Sequence, residues 1–330
     1  MSSLSMTQSL PSKEQDLALN EASTVSDQVC DVIAQHGVQQ VFMVPGGFVD
    51  NFAQSIAHHH SLSAIVCASE AGAAYMADGY ARASGKFGVC MGISGPGASN
   101  MITGLSLSTA DQIPVLAITG EPPLSWRDRD AIQDPGSAGL RSIDLLKQVC
   151  VAQYQLFDAN ILDNIIQRSL NALNSGKRGA VHLSISMDIQ ASTPVKQAPP
   201  IMPAMHRPAD YQALDQVIHA LSQHKKCVLL AGAGVRHSDA SAALIDFAEA
   251  SGIPVATTMS AKGDFPEHHP LALGVFGWAG THLANTLLMG DDIECLIVVG
   301  SKLGQIATMG WHEQLAKRCL IHIDAHADHL

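Results

Sequence analysis

Short unbroken apolar runs, each stopped by glycine or proline and followed by a helical stretch, recur along the chain from Ser26 onward. Val41-Phe42-Met43-Val44 halts at Pro45-Gly46-Gly47, and Ala64-Ile65-Val66-Cys67 leads into an alanine-rich helix from Glu70 to Arg82 that Gly85 ends. Val89-Cys90-Met91 closes on Ser94-Gly95-Pro96-Gly97, with a helix expected from about Ala98, and Val115 to Thr119 is a fourth strand. A strand apolar at every position leaves no face for water, so helices must cover both sides of a parallel sheet. The pattern continues with strand 149–154, helix 161–173 and strand 180–185. Only the polar stretch Glu121 to Arg141 breaks it, and a long loop inside such a domain is more often functional than not.

Residues 190–207 carry Pro194, Pro199, Pro200 and Pro203 with almost no periodicity, and Pro208 follows, so they read as a linker. Beyond it the rhythm resumes: helix 211–221, strand 227–230, Gly232-Ala233-Gly234, helix 240–250, Pro254-Val255-Ala256, a Gly-rich segment to Gly280, and strands 295–299 and 320–323. The expected fold is α/β, two doubly wound domains with mainly parallel sheets. A leader over 1–25 and a linker over 191–207 set off domains at 26–190 and 208–330.

Composition removes several classes of function. Hydrophobic residues at 47% against 15% charged supply large cores, the opposite of a disordered chain. A net charge of −11 with 5% aromatics lacks the basic footprint and stacking surfaces of a nucleic-acid binder. The first 25 residues contain no apolar signal core, and no run reaches the ~20 apolar residues that span a bilayer. The seven cysteines lack close spacing, so they read as buried small side chains in a reducing, cytoplasmic setting, with no metal site. The runs His58-His59-His60 and His268-His269 read as solvated turn residues.

Some local motifs are weak when taken singly. Gly232-Ala233-Gly234 after a strand starts like a dinucleotide fingerprint, but His237 stands where the third glycine belongs. Pro96 takes the last glycine position of a would-be nucleophile elbow at Gly92-Ile93-Ser94-Gly95-Pro96, which excludes a serine hydrolase. Gly95-Pro96-Gly97-Ala98-Ser99-Asn100 permits close backbone approach at a helix N-terminus, or is an ordinary strand-to-helix turn. Glu70 carries more information. An acid in a first helical turn suits the helix dipole, yet its neighbours Ala68, Ala71, Gly72, Ala73 and Ala74 offer nothing to solvate it. Such a carboxylate can share a proton with a ligand base.

Three segments taken in order resemble the acetolactate synthase-like family of thiamine-diphosphate-dependent enzymes: Val44-Pro45-Gly46-Gly47, Ser69-Glu70-Ala71-Gly72 through Arg82, and Ser94-Gly95-Pro96-Gly97-Ala98-Ser99-Asn100. They match its N-terminal pyrimidine-binding domain. Lys262-Gly263-Asp264-Phe265-Pro266 and Leu273-Gly274 to Gly280 are similar to its central domain, so the likeness covers nearly all of the chain after the leader. The resemblance implies that Glu70 hydrogen-bonds the aminopyrimidine of thiamine diphosphate and helps it become a carbon nucleophile toward a 2-oxo acid such as pyruvate. It implies a cofactor cradle from Pro45, Gly46, Gly47, Gly95, Pro96, Gly97 and Asn100. Gln133 and Lys147 resemble substrate-side residues, and Gly232, Gly234, Gly274 and Gly277 resemble part of an FAD site.

Departures accompany it. Ser69 stands where the family has histidine, Ile132 where it has phenylalanine, and Ser301-Lys302-Leu303 replaces an arginine-bearing stretch. The Gly-Asp-Gly that holds diphosphate and Mg²⁺ in the family's third domain does not occur in the sequence. The chain is therefore expected to supply half a site, completed by another polypeptide with a diphosphate-binding domain, and to pair with itself or a full-length relative as a dimer or tetramer, or with a separate diphosphate-binding subunit. Another 2-oxo acid decarboxylase or carboligase on this scaffold, and a non-catalytic module pairing with a relative, are the alternatives. Apolar helix faces left uncovered would favour an oligomer.

Overall fold

The computed structural model describes residues 23–137, 139–174, 176–194, 211–326 and 329. The leader expected at 1–25 and the linker expected at 191–207 fall largely outside these residues, as do Pro199, Pro200, Pro203 and Pro208. The chain divides into two compact units, Met1–Ala204 and Met205–Leu330.

In the first unit, helices α1 (Val25–Gln35), α2 (Asp50–His58), α3 (Glu70–Ser84), α4 (Pro96–Ala110), α5 (Ser142–Leu145), α6 (Leu162–Asn174) and α7 (Met187–Gln190) alternate with strands. These are β1 (Gln40–Met43), β2 (Ser63–Val66), β3 (Gly88–Ile93), β4 (Val115–Glu121), β5 (Ala152–Leu156) and β6 (Ala180–Ser186). The sheet runs β2-β1-β3-β4-β6-β5 with every pairing parallel. Alternate residues of the strands feed two cores. Val41, Met43, Val89, Met91, Leu116 and Ile118 meet Val29, Ile33, Phe52 and Ile165 of α1, α2 and α6 on one face. Phe42, Cys90, Val115 and Ala117 meet Ala73, Ala77, Met101 and Leu105 of α3 and α4 on the other. Side chains of period two thus account for apolar runs without gaps.

The alanine-rich α3 and α4 pack closely because Gly104 has no side chain; a Cβ there would come within 2.6 Å of that of Ala74. Asp78 fastens the same pair of helices: it accepts from Arg82 Nε at 2.5 Å and from Ser108 Oγ at 2.9 Å, while Arg82 reaches Asp111 at 2.8 Å. At one end of the sheet β2 pairs with β1 alone, and Val66 is 67% exposed. Tyr75, Met76 and Leu107 on α3 and α4 are also exposed apolar side chains.

The second unit contains α8 (Tyr211–Gln223), β7 (Cys227–Ala231), α9 (Gly234–His237), α10 (Ser241–Ser251), β8 (Val255–Thr257), β9 (Ala272–Val275), α11 (His282–Met289), β10 (Cys295–Val299) and β11 (Cys319–Ile323). Its sheet runs β11-β10-β7-β8-β9, again all parallel, between two apolar layers. The α/β, doubly wound expectation therefore holds for both units.

Several local expectations need correction. Helix α4 begins at Pro96, not near Ala98, because proline at the first helical position lacks only an amide hydrogen that would be unpaired there anyway. Strand β5 spans Ala152–Leu156 rather than 149–154, since Leu146 and the turn after it close a 3₁₀ segment first. The Gly-rich segment before Gly280 contains strand β9, and helices α2 and α11 lie in stretches where no helix was expected. Two histidines are not solvated turn residues. His59 is 10% exposed at its side chain and 3.3 Å from Asp31, and His269 is 14% exposed and 3.2 Å from Glu249.

Candidate functional site

In the first sheet, β1 lies between β2 and β3, so the chain leaves β1 to one side and continues from β3 to the other. Ligands of open α/β sheets bind at such a reversal, beyond the carboxyl ends of the strands. The loops there are Pro45-Gly46-Gly47 after β1 and Ser94-Gly95 after β3, with Glu70 opening α3 after β2.

Glu70 is buried, 9% exposed, at the first position of α3, where the Ser69 hydroxyl caps the helix by accepting from the Gly72 amide at 3.2 Å. Asn100 Nδ2 donates to Glu70 Oε2 at 2.9 Å, so the second turn of α4 fixes one carboxylate oxygen. The space beside it is made by glycines. A Cβ at Gly92 would stand 3.1 Å from Glu70 Cγ and 2.8 Å from the Met101 methyl, and one at Gly97 would stand 3.3 Å from Glu70 Oε1. Gly92 was singled out in the sequence only to exclude a hydrolase; here it makes room for the glutamate. Gly46 serves the same packing, since a Cβ there would meet the Ile93 side chain at 2.8 Å. Pro45, Gly47 and Pro96 lie exposed around it, and Gly47 faces open space.

Gly95 holds φ at +68°, a conformation side chains rarely adopt, and its amide donates to Ser142 Oγ at 3.2 Å. Gln133 packs over it: Cβ and Cγ of Gln133 lie 3.5 Å from where a Gly95 Cβ would be. The Ser94 hydroxyl donates to the Gln133 carbonyl at 3.3 Å, while Gln133 Oε1 is buried without a recorded partner among the described residues. The structure thus groups Glu70, Asn100, Gly92, Gly95, Gly97 and Gln133. Lys147 lies exposed on the 3₁₀ turn after α5, with no recorded contact to that group, and Ile132 is 73% exposed.

The polar loop from Glu121 holds groups that sequence reasoning did not single out. Glu121, 1% exposed at the end of β4, accepts from Gln155 Nε2 at 3.0 Å and lies 3.5 Å from Arg127 Nη2. Its Oε1 and Arg127 Nε are buried without recorded partners among the described residues. With Asp128, Arg141 and Ser142 these residues line a cavity of about 250 Å³. The Ser137 hydroxyl and amide both donate to Asp128 and hold its carboxyl below the usual range. The loop's departure from periodicity was the available signal; which acids and bases meet within it was not.

In the second unit the reversal falls between β7 and β10. There the Gly232 amide donates to the Val299 carbonyl at 2.8 Å and the Gly234 amide to the Gly300 carbonyl at 2.9 Å. A Cβ at Gly232 would lie 2.2 Å from that Gly300 oxygen. Gly274 packs against Thr281, and the Gly277 amide donates to Asn285 Oδ1 at 3.0 Å. These glycines let chain segments approach one another, and the recorded amides are spent on protein acceptors.

Residues 23–139 match the family model "Thiamine pyrophosphate enzyme, N-terminal TPP binding domain", and residues 214–330 match "Thiamine pyrophosphate enzyme, central domain". Among curated relatives, a probable acetolactate synthase large subunit from Methanococcus aeolicus is 33% identical over 295 residues, which are 87% of this chain and 48% of that one. The chloroplastic acetolactate synthase of Arabidopsis thaliana is 32% identical over 91% of this chain and 44% of its own length. An acetolactate synthase from Arthrospira platensis is 33% identical over 89% and 52%. The chain spans about half the length of these relatives.

Proposed function

Because the chain belongs to the thiamine pyrophosphate enzyme family, we propose that its first unit is the pyrimidine side of a site for decarboxylation and carboligation of a 2-oxo acid, pyruvate being the first candidate. The observation that carries this reading is the buried Glu70 carboxylate, anchored on one oxygen by Asn100 and walled by Gly92 and Gly97. These residues fit an aminopyrimidine: a fixed carboxylate can hold or pass a proton at a ring nitrogen, and Gly97 places no side chain against its Oε1. Thiamine diphosphate, when bound, supplies the carbon nucleophile that takes up the 2-oxo acid and the electron sink for loss of CO₂.

In this reading Glu70 holds the proton, Asn100 keeps Oε2 in place, and the Gly95 turn sets the direction of α4. Gln133 offers its uncommitted Oε1 beside that turn. Lys147 has a weaker claim to the substrate side, resting on family likeness alone. Diphosphate and Mg²⁺ are assigned to a domain outside these 330 residues, carried by a full-length relative or a separate subunit. The exposed Tyr75, Met76 and Leu107 support such an assembly. FAD at Gly232, Gly234, Gly274 and Gly277 rests on family likeness alone, and no step is routed through it. A cytoplasmic setting belongs to the same reading and is supported by seven free cysteines.

The test mixes the chain with a polypeptide carrying the diphosphate-binding half, thiamine diphosphate, Mg²⁺ and pyruvate, and measures CO₂ and product for wild type and Glu70→Gln. Turnover lost by at least about 100-fold in Glu70→Gln, with an unchanged circular dichroism spectrum, is expected for a group acting in proton transfer. Equal turnover in the two chains sinks the assignment of Glu70, and complex formation without turnover in either would leave a non-catalytic pairing module. The product decides a second reading. Ser69 is spent on capping α3 and Ile132 is exposed, so free aldehyde in place of acetolactate would make the chain part of another decarboxylase or carboligase.

A further inference from the structure

Three strands of the second unit, β7, β10 and β11, each begin with a cysteine, and the register sets Cys227 beside Cys295 and Cys295 beside Cys319. In-register neighbours of a parallel sheet project to the same face on strands about 4.8 Å apart. Sequence spacing gave no hint of this row, because 68 residues separate the first pair and 24 the second. His224, three residues before Cys227, joins them: one of its ring nitrogens and the Sγ atoms of Cys295 and Cys319 all lie within 4.8 Å of one another. Cys227 Sγ lies 3.5 Å from the His224 carbonyl.

From this cluster we propose that His224, Cys295 and Cys319, with Cys227 alongside as a fourth donor, form a binding site for one thiophilic cation of the Zn²⁺ type. Soft sulfur and imidazole donors select such an ion over Mg²⁺ or Ca²⁺. The tautomer of the histidine suits the task. Its Nδ1 lies 2.7 Å from the Ala220 carbonyl, which can only accept, so Nδ1 carries hydrogen and Nε2 is left with the lone pair. A backbone carbonyl on one ring nitrogen is the usual second contact of a metal-bound imidazole. Tetrahedral ligation at about 2.3 Å to sulfur and about 2.0 Å to nitrogen needs donors about 3.5–3.8 Å apart. Among His224, Cys295 and Cys319 that calls for a contraction of at most about 1 Å, which the half-buried His224 and Cys319 can make.

Binding of a cation to thiols displaces their protons. A cavity of about 640 Å³ reaches His224 and Cys227 from solvent, while Cys295 and Cys319 do not line it. The cluster lies at the amino-terminal edge of the sheet, opposite the loops of Gly232 and Gly300. A bound ion there would tie three strands to the end of α8 and take no part in chemistry at the other edge.

The test uses the full chain, reduced and freed of metal, titrated with Zn²⁺ against a chromophoric chelator and separately with Co²⁺. The expected result is one equivalent bound, a thiolate-to-cobalt charge-transfer band, intense visible bands of a tetrahedral site, and a higher thermal midpoint with Zn²⁺. Cys319→Ser and His224→Gln should each weaken binding by at least about 100-fold, since loss of a ligand exceeds the 10–100-fold cost of losing an outer contact. Cys67→Ser in the first unit should leave binding unchanged. Absence of the thiolate band, binding indifferent to both substitutions, or a Cys295–Cys319 disulfide whose reduction yields no metal uptake would each overturn the proposal. Should Cys319→Ser misfold, the more exposed His224→Gln decides alone.

Discussion

Lowering the pH should unfold this protein partly through one histidine. His182, on β6, is fully buried, with Nε2 2.8 Å from Thr119 Oγ1 on β4 and Nδ1 without a recorded partner among the described residues. Charging the ring would put a second N–H where nothing recorded accepts it, and burial pushes its pKa down from 6.5 to about 3. Between those values the unfolded chain binds a proton that the folded one refuses. Stability is therefore intact above about pH 6.5 and is lost progressively as pH falls toward about 3. At about pH 5 the gap is about 1.5 units, worth about 2 kcal/mol at about 1.4 kcal/mol per unit. The assay is urea unfolding followed by circular dichroism for wild type and His182→Gln at about pH 7 and about pH 5. The variant's own cost at neutral pH cancels in the double difference, and carboxylates such as Asp27, held below the ordinary range despite burial by bonds from Ser55 and Thr24, titrate lower in both chains. The advantage of wild type should shrink by about 2 kcal/mol on acidification. Parallel losses in the two chains would refute the reasoning.

Two further substitutions probe the framework around the sites. Asp78→Ala removes the acid shared by Arg82 and Ser108 and should cost about 3 kcal/mol, the low end for breaking a buried pair because Arg82 retains Asp111; a loss under about 1 kcal/mol in urea unfolding would show that the clamp is idle. Gly232→Ala places a Cβ 2.2 Å from the Gly300 carbonyl oxygen and should cost at least about 2 kcal/mol, read as earlier melting of the second unit. Unchanged melting would mean the loop moves aside freely.

What the sequence disclosed depended on how local each signal was. Apolar runs closed by glycine gave both sheets, because a strand buried on two faces writes its burial into consecutive residues. Glu70 and Asn100 each stood out, yet their hydrogen bond spans 30 positions and needed the packing of α3 on α4 to exist. Gly92 looked like part of a turn motif, and only the neighbouring Glu70 and Met101 explain it. The nine residues of α2 bury few side chains, chiefly Phe52, Ser55 and Ile56, too short a stripe to declare a helix. The cysteine row lay furthest from view. Strand register is a property of the sheet, and nothing in the spacing of Cys227, Cys295 and Cys319 encodes it.

The open position of β2 bears on how the chain behaves in concentrated solution. From Ser61 to Ser69 the sequence has no charge and no proline, and Ile65 and Val66 are β-branched. Natural sheet edges are usually guarded by lysine, proline or a bulge, which stop one chain from adding its strand to another. This edge has none of them, and during refolding it would be exposed before α3 settles against the sheet. Recovery of native protein should then depend on dilution more than on time. A short, uncharged strand that costs the folded unit nothing thus sets an upper limit on how crowded the unfolded chains can be.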